Sequence, residues 1–409
     1  MKWRVKQIKQ LEKKYGSPLY VFNKNEFVNN YTTFEQSFKK RYDKYKLSYS
    51  YKTNYTPYIC KIVKQLGGYA EVVSDMEYSI AKQIGYDSNK IIYNGPYKGN
   101  LCYEHLLMGG ILNVDNLEEF GRIVDFANSH PDKTFNIGLR LNIDVGQSFV
   151  SRFGIDTSGK ELQLIFSKVK ELSNLHIVGL HCHIGQSRSV AAWKKRTLTM
   201  LSLADSYFPS SPPQYIDLGS GMYGRMQPIL ASQFANNIPT YDDYAEVTAG
   251  LFQKHYKDVH HDNKPILFTE PGTTLINSYI DFIGKITAVK EIKSRIFIVM
   301  NCSKDNIGDI CKMKRLPIQH IPCGIPSICC QDASITGYTC LEHDVMYPDF
   351  SGSISIGDYI VFNNVGGYSN VSKPPFISQN CAMISLSDTG TEIMKHAETV
   401  ADILHTYVI

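Results

Sequence analysis

Apolar positions in the first two thirds of the chain switch repeatedly between a helical and an extended spacing. Phe27, Tyr31, Phe34 and Phe38 recur at steps of four, three and four, which predicts a helix within 24–41 with one buried face. Residues 45–51 then alternate as a short strand that ends at Lys52. Thr56-Pro57 opens a helix, with Thr as its cap and Pro at its first position, and Gly67-Gly68 stops it. The unit repeats. A strand at 69–73 leads to a helix with Ser74 and Glu77 as its capping box, which stops at Gly85. Strands at 90–93 and 111–114 are followed by helices at 101–108 and 116–128. A fifth strand at 135–142 precedes a long loop and a helix at 160–172. Strands at 175–183 and 214–218 carry helices at 191–207 and 241–256, and 265–269 is the eighth strand.

Eight strands, each with a helical stretch behind it, point to an α/β fold: a (β/α)8 barrel of the TIM type. The competing arrangement is an open doubly wound sheet. That sheet usually needs fewer units, and no Gly-x-Gly-x-x-Gly follows the first strand. After residue 280 the texture changes. Apolar runs at 279–286, 295–300 and 358–363 are separated by Gly, Pro, Asn and Ser, which reads as a C-terminal, mainly-β domain. A last helix is expected over 391–407, with Ile393, Ala397, Val400 and Leu404 on one stripe. The boundaries expected are 24–276 for the barrel and 277–409 for the β domain.

Composition narrows the picture only by exclusion. Of the 409 residues, 43% are hydrophobic, enough for a sizeable core. Lys and Arg number 43 against 39 Asp and Glu, a net charge of +4 that argues against a nucleic-acid partner. No run approaches the roughly 18 apolar residues of a membrane span. Met-Lys-Trp-Arg-Val-Lys-Gln at the start has no apolar stretch after its charges. A cytoplasmic chain with no membrane partner is expected. Its 10 cysteines are too few for a disulfide scaffold. Cys302, Cys311, Cys323 and the adjacent Cys329 and Cys330 lack the close paired spacing of a zinc site, so no metal is expected.

In a barrel, reactive groups lie at the C-terminal strand ends. Those ends carry Lys52, Glu71 with Ser74, Asn94, Asp115, Arg140 with Asn142, His181-Cys182-His183, Asp217-Leu218-Gly219-Ser220-Gly221, and Glu270-Pro271-Gly272. Every end is polar or ionisable. A lysine ending a buried strand is costly as an ammonium, and as a free amine it is the carbonyl nucleophile of pyridoxal phosphate enzymes. It could equally snorkel to the rim. Gly219-Ser220-Gly221 could close backbone N–H groups on a phosphate, or be a plain turn. Glu270 could keep a pyridine nitrogen protonated, or serve a helix start. His183 offers a flat ring for stacking, or is a satisfied core histidine.

Together these motifs, in this order, resemble the fold-type III pyridoxal-phosphate decarboxylases, the diaminopimelate and ornithine decarboxylase family, over nearly the whole chain. Tyr15-Gly16-Ser17-Pro18-Leu19-Tyr20-Val21-Phe22 is similar to the family's opening strand, so residues 1–23 would give the β domain its first strand. Tyr49-Ser50-Tyr51-Lys52-Thr53-Asn54 resembles the segment with the cofactor lysine. Glu71-Val72-Val73-Ser74-Asp75-Met76-Glu77 and Ser151-Arg152-Phe153-Gly154-Ile155 match the motifs after strands two and five. Gly179-Leu180-His181-Cys182-His183-Ile184-Gly185 matches the segment whose second histidine stacks on the ring. The resemblance implies pyridoxal 5'-phosphate held by Lys52, Glu71, Arg140, His183, Gly219, Ser220, Gly221, Glu270, Thr273 and Tyr368, with Glu270 at the ring nitrogen. Tyr368 comes from Gly366-Gly367-Tyr368, which resembles a phosphate-contacting segment. Gly337-Tyr338-Thr339-Cys340 with Asp344 resembles the motif that enters the partner's active site in a homodimer, Cys340 serving as proton donor. Lys52, His183 and Cys340 are thus the implied catalytic residues, and Glu342 and Asp344 the implied substrate contacts.

Several positions depart from the family. Thr273 stands where the family has an arginine after Glu-Pro-Gly, and Asn301-Cys302 where it has Asp-Gly. Leu341 follows the cysteine where the family has an acid, with Glu342 one place later. No Arg-Pro-x-x-Tyr-like segment follows Asn301. The implied function is a decarboxylase removing the α-carboxylate of an amino acid or amino-acid conjugate, with altered distal substrate contacts. A racemase on the same fold and a non-catalytic regulatory homologue are the alternatives.

Overall fold

A computed structural model describes residues 2–408 apart from 235 and 236. Eight short strands form its parallel barrel: β1 (Tyr45–Ser50), β2 (Tyr69–Val72), β3 (Ile91–Tyr93), β4 (Ile111–Val114), β5 (Phe135–Asn142), β6 (Leu175–His181), β7 (Tyr215–Asp217) and β8 (Ile266–Thr269). Each pairs in parallel with the next, and β8 returns to β1 through Leu267↔Tyr45 and Thr269↔Leu47, which closes the ring. Closure leaves no sheet edge unpaired.

Short strands suffice because side chains fill the interior. The Tyr215 ring crosses toward β5 and β6, where Gly138 and Gly179 leave it room. A Cβ at either would lie 2.0–2.1 Å from ring or hydroxyl atoms of Tyr215. The helix Lys24–Lys39 buries Phe27, Tyr31, Phe34 and Phe38. Phe38 stacks on Tyr45 of β1 at 4.8 Å, and Phe34 meets the edge of Tyr241 at 4.9 Å. Phe34 and Phe38 of that spacing therefore face the barrel, while Phe27 meets the edge of Phe22 at 5.3 Å.

The chain divides into two units. The barrel unit is Asn30–Tyr223 with Pro239–Thr274; the strand-rich unit is Met1–Asn29, Gly224–Ile238 and Leu275–Ile409. In the strand-rich unit, Leu19–Asn23 pairs antiparallel with Ile280–Ile292 and parallel with Ala382–Ser387, so the chain's opening strand is interior to a sheet of C-terminal strands. A helix at Val5–Tyr15, which the charged opening sequence had concealed, buries only Ile8 and Leu11 against that sheet. No helix among the described residues is long and apolar enough to cross a membrane.

Three local expectations are corrected. The helix expected over 391–407 is a strand, Gly390–Lys395, followed by a short helix, Val400–Leu404. Its backbone pairs antiparallel with Ala382–Ser387, and the apolar stripe is exposed, 40% at Ile393 and 57% at Val400. Ladder hydrogen bonds override a helical spacing that has no core to face. Thr56 occupies the cap position but bonds Asn54 Oδ1 at 2.6 Å instead of capping. Ser74 does accept the Glu77 N–H, whereas Glu77 returns to the N–H of Val73, one residue before the cap, at 2.8 Å.

Candidate active site

β1 runs into a single 3-10 turn, Tyr51–Thr53, that lifts Lys52 to the rim. Gly272 packs directly on this turn; a Cβ there would fall 2.0 Å from Thr53 Oγ1. Lys52 Nζ donates to Glu71 Oε2 at 2.5 Å, and the Ser50 hydroxyl donates to the same oxygen. The Glu71 side chain is only 1% exposed, while the Lys52 side chain keeps 29% accessible.

Glu71 and Glu270 are joined by one side chain. Asn94 Nδ2, at the end of β3, donates to Glu71 Oε1 at 3.3 Å and, in a shorter bond, to Glu270 Oε1. Asn94 is itself held by Asn113 Nδ2, which donates to its Oδ1 at 2.8 Å. The Tyr215 hydroxyl donates to Asn113 Oδ1 at 2.8 Å. A buried chain of hydrogen bonds thus crosses the barrel from β7 through β4 and β3 to both carboxylates.

Glu270 also faces two histidines, with His181 Nε2 3.3 Å from Oε1 and His183 Nδ1 3.3 Å from Oε2. Burial works against its charge, but His181, His183 and Lys52 outweigh it and hold Glu270 well below the ordinary carboxylate range. Desolvation of its ring, only partly offset by Glu270, pushes His183 down to about 4. Its ring is therefore neutral near pH 7. Its Nδ1 also lies 3.3 Å from the Ser220 N–H. With a proton there it donates to Glu270; without one it accepts from Ser220.

The loop after β7 needs its glycines. Gly219 and Gly221 have φ of 62° and 102°, and a Cβ would meet Cys182 O at 2.5 Å or Ile184 O at 2.2 Å. Asp217 Oδ1 accepts the Gly219 N–H at 2.8 Å, and the Glu270 N–H donates to Gly219 O at 2.8 Å. Beneath the loop lies Arg196, fully buried on the helix Val190–Tyr207. Its guanidinium donates to Leu218 O, Ser220 O and Ile184 O at 2.8–2.9 Å. Thr273 begins the short helix Thr273–Ile276. Arg140 turns to Asp115 Oδ1 at 3.1 Å and lies over the Phe153 ring at 4.8 Å.

The structure thus gathers Lys52, Glu71, His183, Gly219, Ser220 and Glu270 through direct bonds or one shared partner. Cys340, Glu342, Asp344 and Tyr368 belong to the strand-rich unit. Cys340 and Glu342 are exposed on the turn after Ile328–Thr336, and Tyr368 is 38% exposed. Asp344 is buried and faces inward. It accepts Lys304 N–H at Oδ1 and both Thr339 N–H and Thr339 Oγ1 at Oδ2, which braces that turn. Sequence reasoning missed Asn113, Tyr215 and Arg196. Asn94 was visible as a strand end without a role. Arg196 sits in a helix, where nothing local marks a buried cation. The 10 cysteines are all free thiols.

A family model described as the pyridoxal binding domain of pyridoxal-dependent decarboxylases matches residues 27–277. The diaminopimelate decarboxylase of Methanocaldococcus jannaschii is 25% identical over 97% of this chain and 92% of its own length. That of Aquifex aeolicus is 25% identical over 73% of this chain and 70% of its own. The crystal structure of the M. jannaschii enzyme with L-lysine superposes with a TM-score of 0.83 at 24% identity, covering 98% of this chain and 94% of that one. A lysine decarboxylase from Selenomonas ruminantium superposes at 0.76 and 20% identity over 95% and 97%. At these identities the superpositions establish the fold.

Proposed function

The chain belongs to the pyridoxal-dependent decarboxylases, and from that premise we propose that it removes the α-carboxylate of an amino acid or amino-acid conjugate at the rim described above. The observation that carries this reading is the single network joining the Lys52 amine, through Glu71 and Asn94, to the Glu270 carboxylate.

The residues fit pyridoxal 5'-phosphate by their chemistry. The site offers one amine on a partly accessible side chain, one buried carboxylate kept ionised, one neutral imidazole, and a glycine loop whose conformation a Cβ would forbid. When bound, the cofactor supplies an electron sink for the bond broken at the α-carbon. Lys52 would hold it covalently at Nζ. Glu270 would hold a proton at the ring nitrogen, with the Asn94 bond keeping that carboxylate aimed. His183 presents a flat, uncharged ring. The loop Gly219-Ser220-Gly221 would offer the phosphate the N–H groups of Ser220 and Gly221, the Gly219 N–H being held by Asp217, with Thr273 supplying a hydroxyl but no charge. Arg140 shapes the rim through Asp115.

Cys340 of the partner subunit returns a proton from Sγ in a homodimer, and Glu342 on the same exposed turn meets the distal end of the substrate. Asp344 contributes by holding the turn in shape. With Leu341 in place of an acid, the distal contacts differ from those of a diaminopimelate decarboxylase. Two measurements test the reading. The visible band of the lysine-linked cofactor should be present in the parent and absent in Lys52→Ala. CO2 release should be found in the parent, against a panel of diaminopimelate, lysine, ornithine and their N-acylated conjugates, and be lost in the variant. A Lys52→Ala protein that decarboxylates as fast as the parent refutes it.

A further inference from the structure

His181, Asp217 and Glu270 stand side by side at the ends of β6, β7 and β8, with His181↔Asp217 and Asp217↔Phe268 as register partners. Their polar atoms lie within 4.8 Å of one another, and each side chain is at most 1% exposed. Asp217 Oδ1 is satisfied by the Gly219 N–H. Asp217 Oδ2 is buried and has no donor among the described residues. The Glu270 carboxyl stands beside it, an oxygen of each lying within 4.8 Å of the other. Two buried carboxylates that close oppose each other's charge, which favours a proton on one of them.

The surroundings decide which. Glu270 receives the Asn94 amide, two imidazoles and the field of Lys52, all of which favour its charge. Asp217 meets burial first, then the negative charges of Glu270 and Glu71, against one backbone N–H in its favour. The remaining titratable groups around it are His181, Cys182, Arg196, Arg140, Tyr45 and Tyr215. Arg196 spends three hydrogen bonds on backbone carbonyls, and Arg140 turns to Asp115. Neither supplies Asp217 with a direct cation.

We propose that Asp217 is a neutral carboxylic acid whose proton bridges from Oδ2 to Glu270, making it a positioning residue that leaves Glu270 the single anion of the pair. It also ties that anion to the cofactor loop. Gly219 is gripped from both sides, its N–H by Asp217 and its C=O by the Glu270 N–H. The role for Glu270 at a ring nitrogen rests on the function proposed above; the protonation of Asp217 does not.

The test is infrared difference spectroscopy on the full-length protein with 13C-labelled aspartate carboxyls, at pH 8. Wild type should show the carbonyl stretch of a protonated, buried acid, and Asp217→Asn should lose it. In parallel, Asp217→Leu, which removes the loop contact and the bridge together, should weaken pyridoxal phosphate binding by about tenfold or more, and Asp217→Asn should restore most of that loss. Absence of a protonated-acid band in wild type at pH 8 overturns the proposal, as does an Asn variant that binds as weakly as the Leu variant. The wild-type spectrum decides the matter even if the Leu variant does not fold. A protein that shows the acid band yet keeps its visible band in Lys52→Ala would overturn the cofactor reading alone.

Discussion

Arg196 offers the sharpest test of how the cofactor loop is held. It is fully buried, lies 4.0 Å over the Trp193 ring, and donates to three carbonyls at residues 184, 218 and 220. Burial pushes its guanidinium down to about 10, which leaves it charged at pH 7.5. Relative to an ordinary arginine, that displacement corresponds to about 3 kcal/mol of desolvation cost. Replacing Arg196 with Met removes the cost but strands three buried carbonyl oxygens at roughly 1–3 kcal/mol each, about 3–9 kcal/mol together. The difference, centred near 3 kcal/mol, falls on the loop that carries Gly219 to Gly221. We therefore expect Arg196→Met to weaken pyridoxal phosphate binding on the order of 100-fold. Arg196→Lys should be intermediate, because an ammonium keeps the charge without the planar fork that reaches all three carbonyls. Both follow from titrating apoprotein with cofactor and reading the visible absorbance, beside a urea denaturation curve for each variant. A Met variant that binds within about threefold of the parent would refute the reasoning, because it would mean the loop keeps its shape without the brace.

Other expectations test the same framework at separate points. Glu77 is buried and pushed up to about 7 by burial and then by Glu71's charge, so the folded state binds a proton that the unfolded state has lost. Stability should fall as pH rises from about 4.5 to about 7. Glu77→Gln, which keeps an acceptor for the Val73 N–H, should be more stable than the parent by up to about 3 kcal/mol at pH 8 and by less than about 1 kcal/mol at pH 5. Urea midpoints at the two pH values check this, and an equal difference at both would contradict it. Tyr215→Phe leaves Asn113 Oδ1 buried without its donor and should cost about 1–3 kcal/mol in the same assay. If its stability equals the parent's, the Asn113–Asn94 chain is not held from that end.

The expected residue spans match most of the barrel closely. The fourth and fifth strands coincide with the expected spans, and Lys52, His183 and Glu270 stand just past the strand ends where they were expected. Those features are local: a period of two or near four, a proline at a helix start, a glycine at its stop. Lys52, the histidine pair, the glycine loop and Glu270 also keep a chain order that a single sequence displays. The site's supports were not legible. The Tyr215 hydroxyl reaches an acceptor 102 positions away and Asn94 reaches Glu270 across 176, so no spacing announces either bond. The same holds where local pattern misled. Residues 390–395 carry part of a helical stripe, yet their backbone found a strand to pair with. Periodicity and caps depend on neighbours a few residues apart, and the sequence alone determined those. Which buried polar group finds which partner depends on closing the barrel, and only the tertiary structure could decide that.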